Sequence, residues 1–214
     1  ALGNLYFFGL AVFAMGTIMV LDPVVAQAVG AGDQPAVARG VQRGVLLATL
    51  LTIPVASLLV WAAPVFALAR QPAEVIPLAA AYSRVTAPGV LPFLLFIVFR
   101  QSLQSMGRTA PIVASIVGAN LANVALNWVL IYGHLGFPAM GVVGSAWATT
   151  ISRSLLLAGL WLGARRQLGS LLWPLRREIW EIRPLLRMLR LGVPIGAQHA
   201  LEFGAFGLVA LMMG

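Results

Sequence analysis

The sequence has no cysteine and no lysine, and six acidic residues against fourteen arginines in 214 positions. Without cysteine there is no disulfide framework and no thiolate metal site. Only 9% of residues are charged, against about 25% in a soluble domain. With 60% hydrophobic residues, a water-soluble fold of this size could not hide its apolar surface. There is no Walker motif, no GxGxxG, no metal-spaced His/Cys cluster and no nucleophile–base pair; His134 and His199 fall on different elements. A nucleotide-driven pump and a metal hydrolase are therefore not indicated. The net charge of +8 does not point to nucleic acid, because most arginines lie between apolar runs.

What is present is apolar runs of about 20 residues, too long and too unalternated for barrel strands. The expected fold class is all-α, a polytopic integral membrane protein with six transmembrane helices. They run from about Gly3 to Ala28, Val41 to Leu68, Ile76 to Leu103, Pro111 to Tyr132, Gly141 to Gly163 and Gly192 to Gly214. Arg39, Arg43, Arg100, Arg108, Arg165, Arg166, Arg176, Arg177, Arg183, Arg187 and Arg190 fall in alternate loops, with only Arg70 and Arg84 opposite. The arginine-rich side is therefore cytoplasmic. The first run begins outside, lacks a basic start and is too long for a cleavable leader. An earlier span and a continuation beyond Gly214 are expected.

Leu172 to Arg190 interleaves Trp173, Leu175, Ile179, Trp180 and Ile182 with charges. It reads either as a basic amphipathic helix on the membrane surface or as a solvated linker. Pro174 suits a first helical position, and Pro184 should break or kink the helix. Gly40/Gly44, Gly159/Gly163 and Gly192/Gly196 are spaced for close helix contact. Such pairs are common by chance among 22 glycines and assign no interface.

The polar residues inside the spans are the candidate site. Glu202 stands in an apolar run, where a carboxylate must face protein, bind a cation or hold a proton. His199 and Gln198, three and four residues earlier, share its face. The functional reading is a Na⁺ or H⁺ site, and the alternative is an interhelical hydrogen bond from a protonated acid. His199 reads more readily as a packing residue. Asn123 and Asn127 lie one turn apart and either line a polar cavity or join helices. Ser145, Thr149 and Ser152 form a stripe whose hydroxyls can satisfy themselves on the preceding turn. Arg153 either faces a wet cavity or snorkels. Asp22, before Pro23, is either solvated or functional; Asp33 and Glu74 read as loop residues.

AQAVGAGD (Ala26 to Asp33) with ARGVQRG (Ala38 to Gly44), RQSLQSMGRTAP (Arg100 to Pro111), NLANVALNWVLIYG, GFPAMGVVGSAWATTISR and LGVPIGAQHALEFGAF together resemble multidrug and toxic compound extrusion (MATE) transporters. Those segments occur in the family's order, and Glu202 favours its NorM-like branch. The resemblance implies twelve helices in two six-helix lobes. Residues 1–164 would hold first-lobe helices two to six, 165–190 a cytoplasmic amphipathic linker, and 191–214 the first helix of the second lobe. It implies export of amphipathic organic cations by alternating access in exchange for Na⁺ or H⁺, without a cofactor, by a monomer in the bacterial cytoplasmic membrane. On that map Glu202 is the second-lobe coupling carboxylate and a Na⁺ ligand. Asn123, Asn127, Ser145 and Thr149 are the first-lobe polar network. From the residues alone, His199, Gln198, Asp22 and Arg153 are further candidates for lining a polar cavity. The acidic residue of family helix one and a later-helix aspartate are not in this chain, which alone is not expected to be a complete transporter. The alternatives are a flippase-like relative acting on lipid-linked oligosaccharides and a non-catalytic membrane subunit. An intramembrane enzyme using Asp22 or Glu202 lacks a second catalytic group.

Overall fold

Proline decides where several of these helices break. A proline ring clashes with the carbonyl four residues earlier. The computed structural model describes residues 2–213, with side chains described to Ala205. Ala1 and Gly214, the ends of the expected first segment and sixth span, lie outside the described residues. Helix α1 (Leu2–Ile18) stops where Pro23 opposes the Met19 carbonyl, and α2 (Leu21–Gly30) resumes after a two-residue interruption. Helix α3 (Gln34–Val60) ends where Pro64 opposes the Val60 carbonyl, and α4 (Ala62–Leu68) follows. Helix α5 (Ile76–Thr86) passes through a 3-10 turn at Ala87–Gly89, built around Pro88, into α6 (Val90–Ser105).

Helix α3 begins well before Val41, because Asp33 is its cap: the carboxylate Oδ1 accepts from the Ala36 N–H at 2.9 Å, and a proline occupies the first turn. Helix α7 (Ala110–Tyr132) ends at Gly133, whose φ of +75° suits only glycine comfortably. Helix α8 (Gly141–Leu172) is 32 residues long and kinks at Ala164. A 3-10 turn at Arg177–Trp180 then leads into α9 (Ile182–Met213).

Of the two readings of Leu172 to Arg190, the amphipathic helix does not form as one element. Trp173 and Arg176 are extended. Pro174 is therefore not in a first helical turn. Pro184 lies in the first turn of α9, where its missing N–H costs nothing, so it breaks no helix. Buried Gln42 of α3 holds the connecting segment instead. Its Nε2 donates to the Leu171 and Pro174 carbonyls at 2.8 and 3.1 Å, and its Oε1 accepts from the Arg176 N–H at 3.1 Å.

Among the described residues, four segments are long and apolar enough to cross a membrane: Leu2–Gly30, Gln34–Val60, Ile76–Ser105 and Ala110–Tyr132. The expected fifth span lies in α8, where Ser145, Thr149, Ser152 and Arg153 dilute the apolar run. The expected sixth lies in α9, whose first turns carry Arg183, Arg187 and Arg190. The fifth does not meet that measure; the sixth runs on into residues 206–214, outside the residues to which it was applied. The chain is nonetheless a polytopic, all-helical membrane protein, and no strand occurs among its described residues.

The core runs through α1, α2, α3, α6 and α8, around Phe7, Leu21, Leu47, Leu94 and Leu160. Helix α7 turns the stripe Val113, Val117, Leu121 and Val124 outward, as expected of a lipid-facing surface. Lipid tails are as apolar as leucine, so helix association here rests on close packing. Glycine supplies it. Gly144 of α8 sits against the Leu130 carbonyl of α7, while Gly192 and Gly196 of α9 sit against the Thr17 and Phe13 carbonyls of α1. Gly192/Gly196 is therefore a real interface.

Gly144→Ala should lower the unfolding free energy in detergent micelles by about 1–3 kcal/mol through overpacking. Gly118→Ala, where an added methyl meets nothing within 4 Å, should leave the fold unharmed or up to about 1 kcal/mol more stable, since alanine is the better helix former.

Candidate functional site

The Gly144 contact fixes the register of α7 against α8 and sets their polar stripes face to face. Asn123 Nδ2 donates to Ser152 Oγ at 3.1 Å. One turn along, Asn127 Nδ2 donates to both Asn123 Oδ1 and the Asn123 carbonyl at 2.9 Å. Asn120 bonds only its own helix, donating to the Ile116 carbonyl at 2.8 Å. Thr149 satisfies its hydroxyl on the Ser145 carbonyl at 2.9 Å, as its position in a helix predicts.

These side chains line one cavity of about 420 Å³. Helices α7 and α8 contribute Asn120, Asn123, Asn127, Ser145, Thr149, Ser152 and Arg153; α1 adds Asn4, Phe7 and Phe8, α5 adds Tyr82, and α6 adds Phe93. The open alternative for the asparagines thus resolves both ways: they join α7 to α8 and they line a polar space.

Arg153 does not snorkel. It is 8% exposed, and its guanidinium lies 3.6 Å from the centroid of the Phe7 ring and 5.5 Å from that of Phe93. Gly89 makes room for its stem, since a methyl there would meet Arg153 Cδ at 3.3 Å. The ring faces contribute about 0.5–2 kcal/mol, while desolvating an ion costs several. Arg153 Nη1 is buried without a protein hydrogen-bond partner, and so is Asn127 Oδ1. The lining contains no carboxylate. Its neutral oxygens suit a hard cation in kind, but the guanidinium opposes positive charge there unless an acid joins the site.

Glu202 is elsewhere. It is exposed on α9 and is not among the residues lining this cavity. Gln198 Nε2 donates to Glu202 Oε1 at 3.0 Å, so the expected shared face is realised. His199 Nδ1 donates to the Ile195 carbonyl at 3.0 Å, the packing role that a lone histidine suggests. Asp22 also lies outside the cavity: its Oδ1 accepts from Ser105 Oγ at 2.7 Å, tying α2 to α6. Among the described residues, no group of three or more His, Cys, Asp or Glu could hold a metal ion.

The sequence did not single out Asn4 and Tyr82. A lone asparagine early in an apolar run was the available signal for Asn4. Nothing marked Tyr82, which reaches the cavity because of how α5 packs beside α1.

The MatE family model matches residues 1–129. A protein described as probable multidrug resistance protein NorM, from Bradyrhizobium diazoefficiens, is 34% identical over 217 residues, covering 100% of this chain and 46% of the relative. Multidrug resistance protein PmpM from Pseudomonas aeruginosa is 30% identical over 224 residues, with 100% and 46% covered. The crystal structure of eukaryotic MATE transporter AtDTX14 superposes with a TM-score of 0.83 at 19% identity, over 97% of this chain and 46% of that one. An outward-facing multidrug resistance MATE family transporter gives 0.76 at 22% identity, over 90% and 42%. The chain thus spans under half the length of the relatives it matches.

In a double-mutant cycle read by unfolding in micelles, Asn123→Ala and Ser152→Ala should couple by about 0.6–1.7 kcal/mol, the range for interhelical hydrogen bonds in membranes. Arg153→Met should leave the fold equally stable or up to about 4 kcal/mol more stable, because an uncompensated buried charge is removed.

Proposed function

The chain belongs to the MatE family of membrane transporters, and on that premise we propose that it forms part of an antiporter exporting amphipathic organic cations in exchange for Na⁺ or H⁺. The observation that carries this reading is the polar cavity walled by Asn123, Asn127 and Arg153 inside an otherwise apolar, membrane-spanning bundle. Polar side chains at that depth are expensive and mark transport pathways.

Glu202 is the coupling carboxylate in this proposal. Na⁺ or a proton on Glu202 favours one facing of the cleft and the organic cation favours the other, which is the differential affinity that such a shift requires. Gln198 orients the carboxylate through its 3.0 Å bond. Asn123, Asn127, Ser145 and Thr149 form the polar network of the first lobe. Arg153 there calls for an acidic partner, and the resemblance implies one on family helix one. The protein works as a monomer in the bacterial cytoplasmic membrane and needs no cofactor beyond the coupling ion.

The same guanidinium supports a second reading, a flippase-like relative whose anionic, lipid-linked oligosaccharide meets Arg153. That reading predicts movement of the lipid-linked oligosaccharide and no gradient-driven ethidium export.

The test is ethidium movement by the full-length protein in liposomes under an imposed Na⁺ or pH gradient. Glu202→Gln should slow gradient-driven export by about tenfold or more, a loss of at least about 1.4 kcal/mol of transition-state stabilisation. Unchanged export would remove Glu202 from the mechanism, and the gradient that drives export identifies the ion.

A further inference from the structure

A second cavity, of about 250 Å³, lies where α2, α3 and α9 meet on the arginine-rich side. Arg39, Arg43 and Arg187 line it, with Val24, Pro184 and Met188 on its apolar wall. Arg39 and Arg43 stand one helical turn apart, a like-charged spacing that disfavours the helix, and α9 brings a third guanidinium to the same place.

The carboxylates nearby do not saturate these groups. Asp33 Oδ2 is 3.9 Å from Arg39 Nη2, and Glu181 Oε2 is 3.7 Å from Arg43 Nη2. Both distances are well beyond the roughly 2.7–2.9 Å of a charge-assisted hydrogen bond. The two acids are 48% and 59% exposed, so water screens them. Arg43 donates one bond, from Nη2 to the Glu178 carbonyl at 2.7 Å, and its Nε is buried without a partner. Arg187 makes no hydrogen bond or ion pair among the described residues.

We propose that this cavity binds the phosphate of an anionic phospholipid from the adjacent leaflet. Guanidinium forks match phosphate geometry, and basic pockets between helices on the cytoplasmic side suit such headgroups. The apolar wall receives the glycerol and the first acyl carbons. A free phosphate ion would satisfy the arginines and leave that wall without a partner. The bound phosphate bridges α3 and α9, holding the first turns of α9 to the bundle.

The test uses the full chain in a neutral detergent, titrated by native mass spectrometry with phosphatidylglycerol, phosphatidylcholine or inorganic phosphate. Phosphatidylglycerol should bind about tenfold more tightly than phosphatidylcholine. Arg187→Gln should weaken it about fivefold, the effect expected of one basic residue at an anionic surface. Arg43→Lys, which keeps the charge and loses the fork, should also weaken it. Arg165→Gln removes the same charge away from the cavity and should change binding less than about twofold. Melting temperatures of the variants check that each is folded. Equal binding of the two lipids, or an equal loss with Arg165→Gln, would overturn the site. Full displacement of phosphatidylglycerol by millimolar phosphate would overturn the lipid as its ligand.

Discussion

The bilayer core offers no water to a stranded polar atom, and most of this structure follows from that one constraint. Thr17, Thr49, Thr52, Ser57, Ser83 and Ser102 each return their hydroxyl to the carbonyl four residues earlier, at 2.7–2.9 Å. Gln42 spends its whole amide on three backbone groups of the connecting segment. The asparagines of α7 bond one another and then reach α8. Among the described residues, buried atoms of Arg43, Arg100, Gln101, Asn127, Arg153 and Arg176 lack a protein partner; those of Arg153 and Asn127 belong to the same cavity wall.

That wall is made by backbone proximity. Because Gly144 lets α8 touch the Leu130 carbonyl, Ser152 falls opposite Asn123, and Arg153, the next residue, turns toward Phe7. Gly159 and Gly163 of α8 add to the approach, where a methyl would meet Ser115 and Pro111 of α7 at 3.4 and 3.3 Å. The same device, in Gly192 and Gly196, fixes α9 on α1.

Much of the helical architecture was legible in the sequence, since long apolar runs report where the chain can cross a bilayer. The polar stripe on α8 and the asparagine pair on α7 were legible for the same reason. Other features depend on where the chain comes back on itself. Asp33 looked like a loop residue until the turn beside it made it a cap. Pro23 and Pro64 were visible as residues, but the breaks that they cause depend on the carbonyls behind them. Glu202 was read on a different span from the asparagines, and the fold keeps it on α9, outside their cavity. Tyr82 and Asn4 belong to that cavity through packing between α1 and α5, which no local pattern encodes.

The grip of Gln42 on Leu171, Pro174 and Arg176 has a mechanical consequence. A connector of this length would ordinarily act as a slack leash between two moving bodies. Clamped at Arg176, and touched again where Arg43 meets the Glu178 carbonyl, it keeps almost no play before α9 begins at Ile182. Any swing of α9 relative to the bundle must then pivot over a few residues, as a short hinge does, and cannot be absorbed by uncoiling chain.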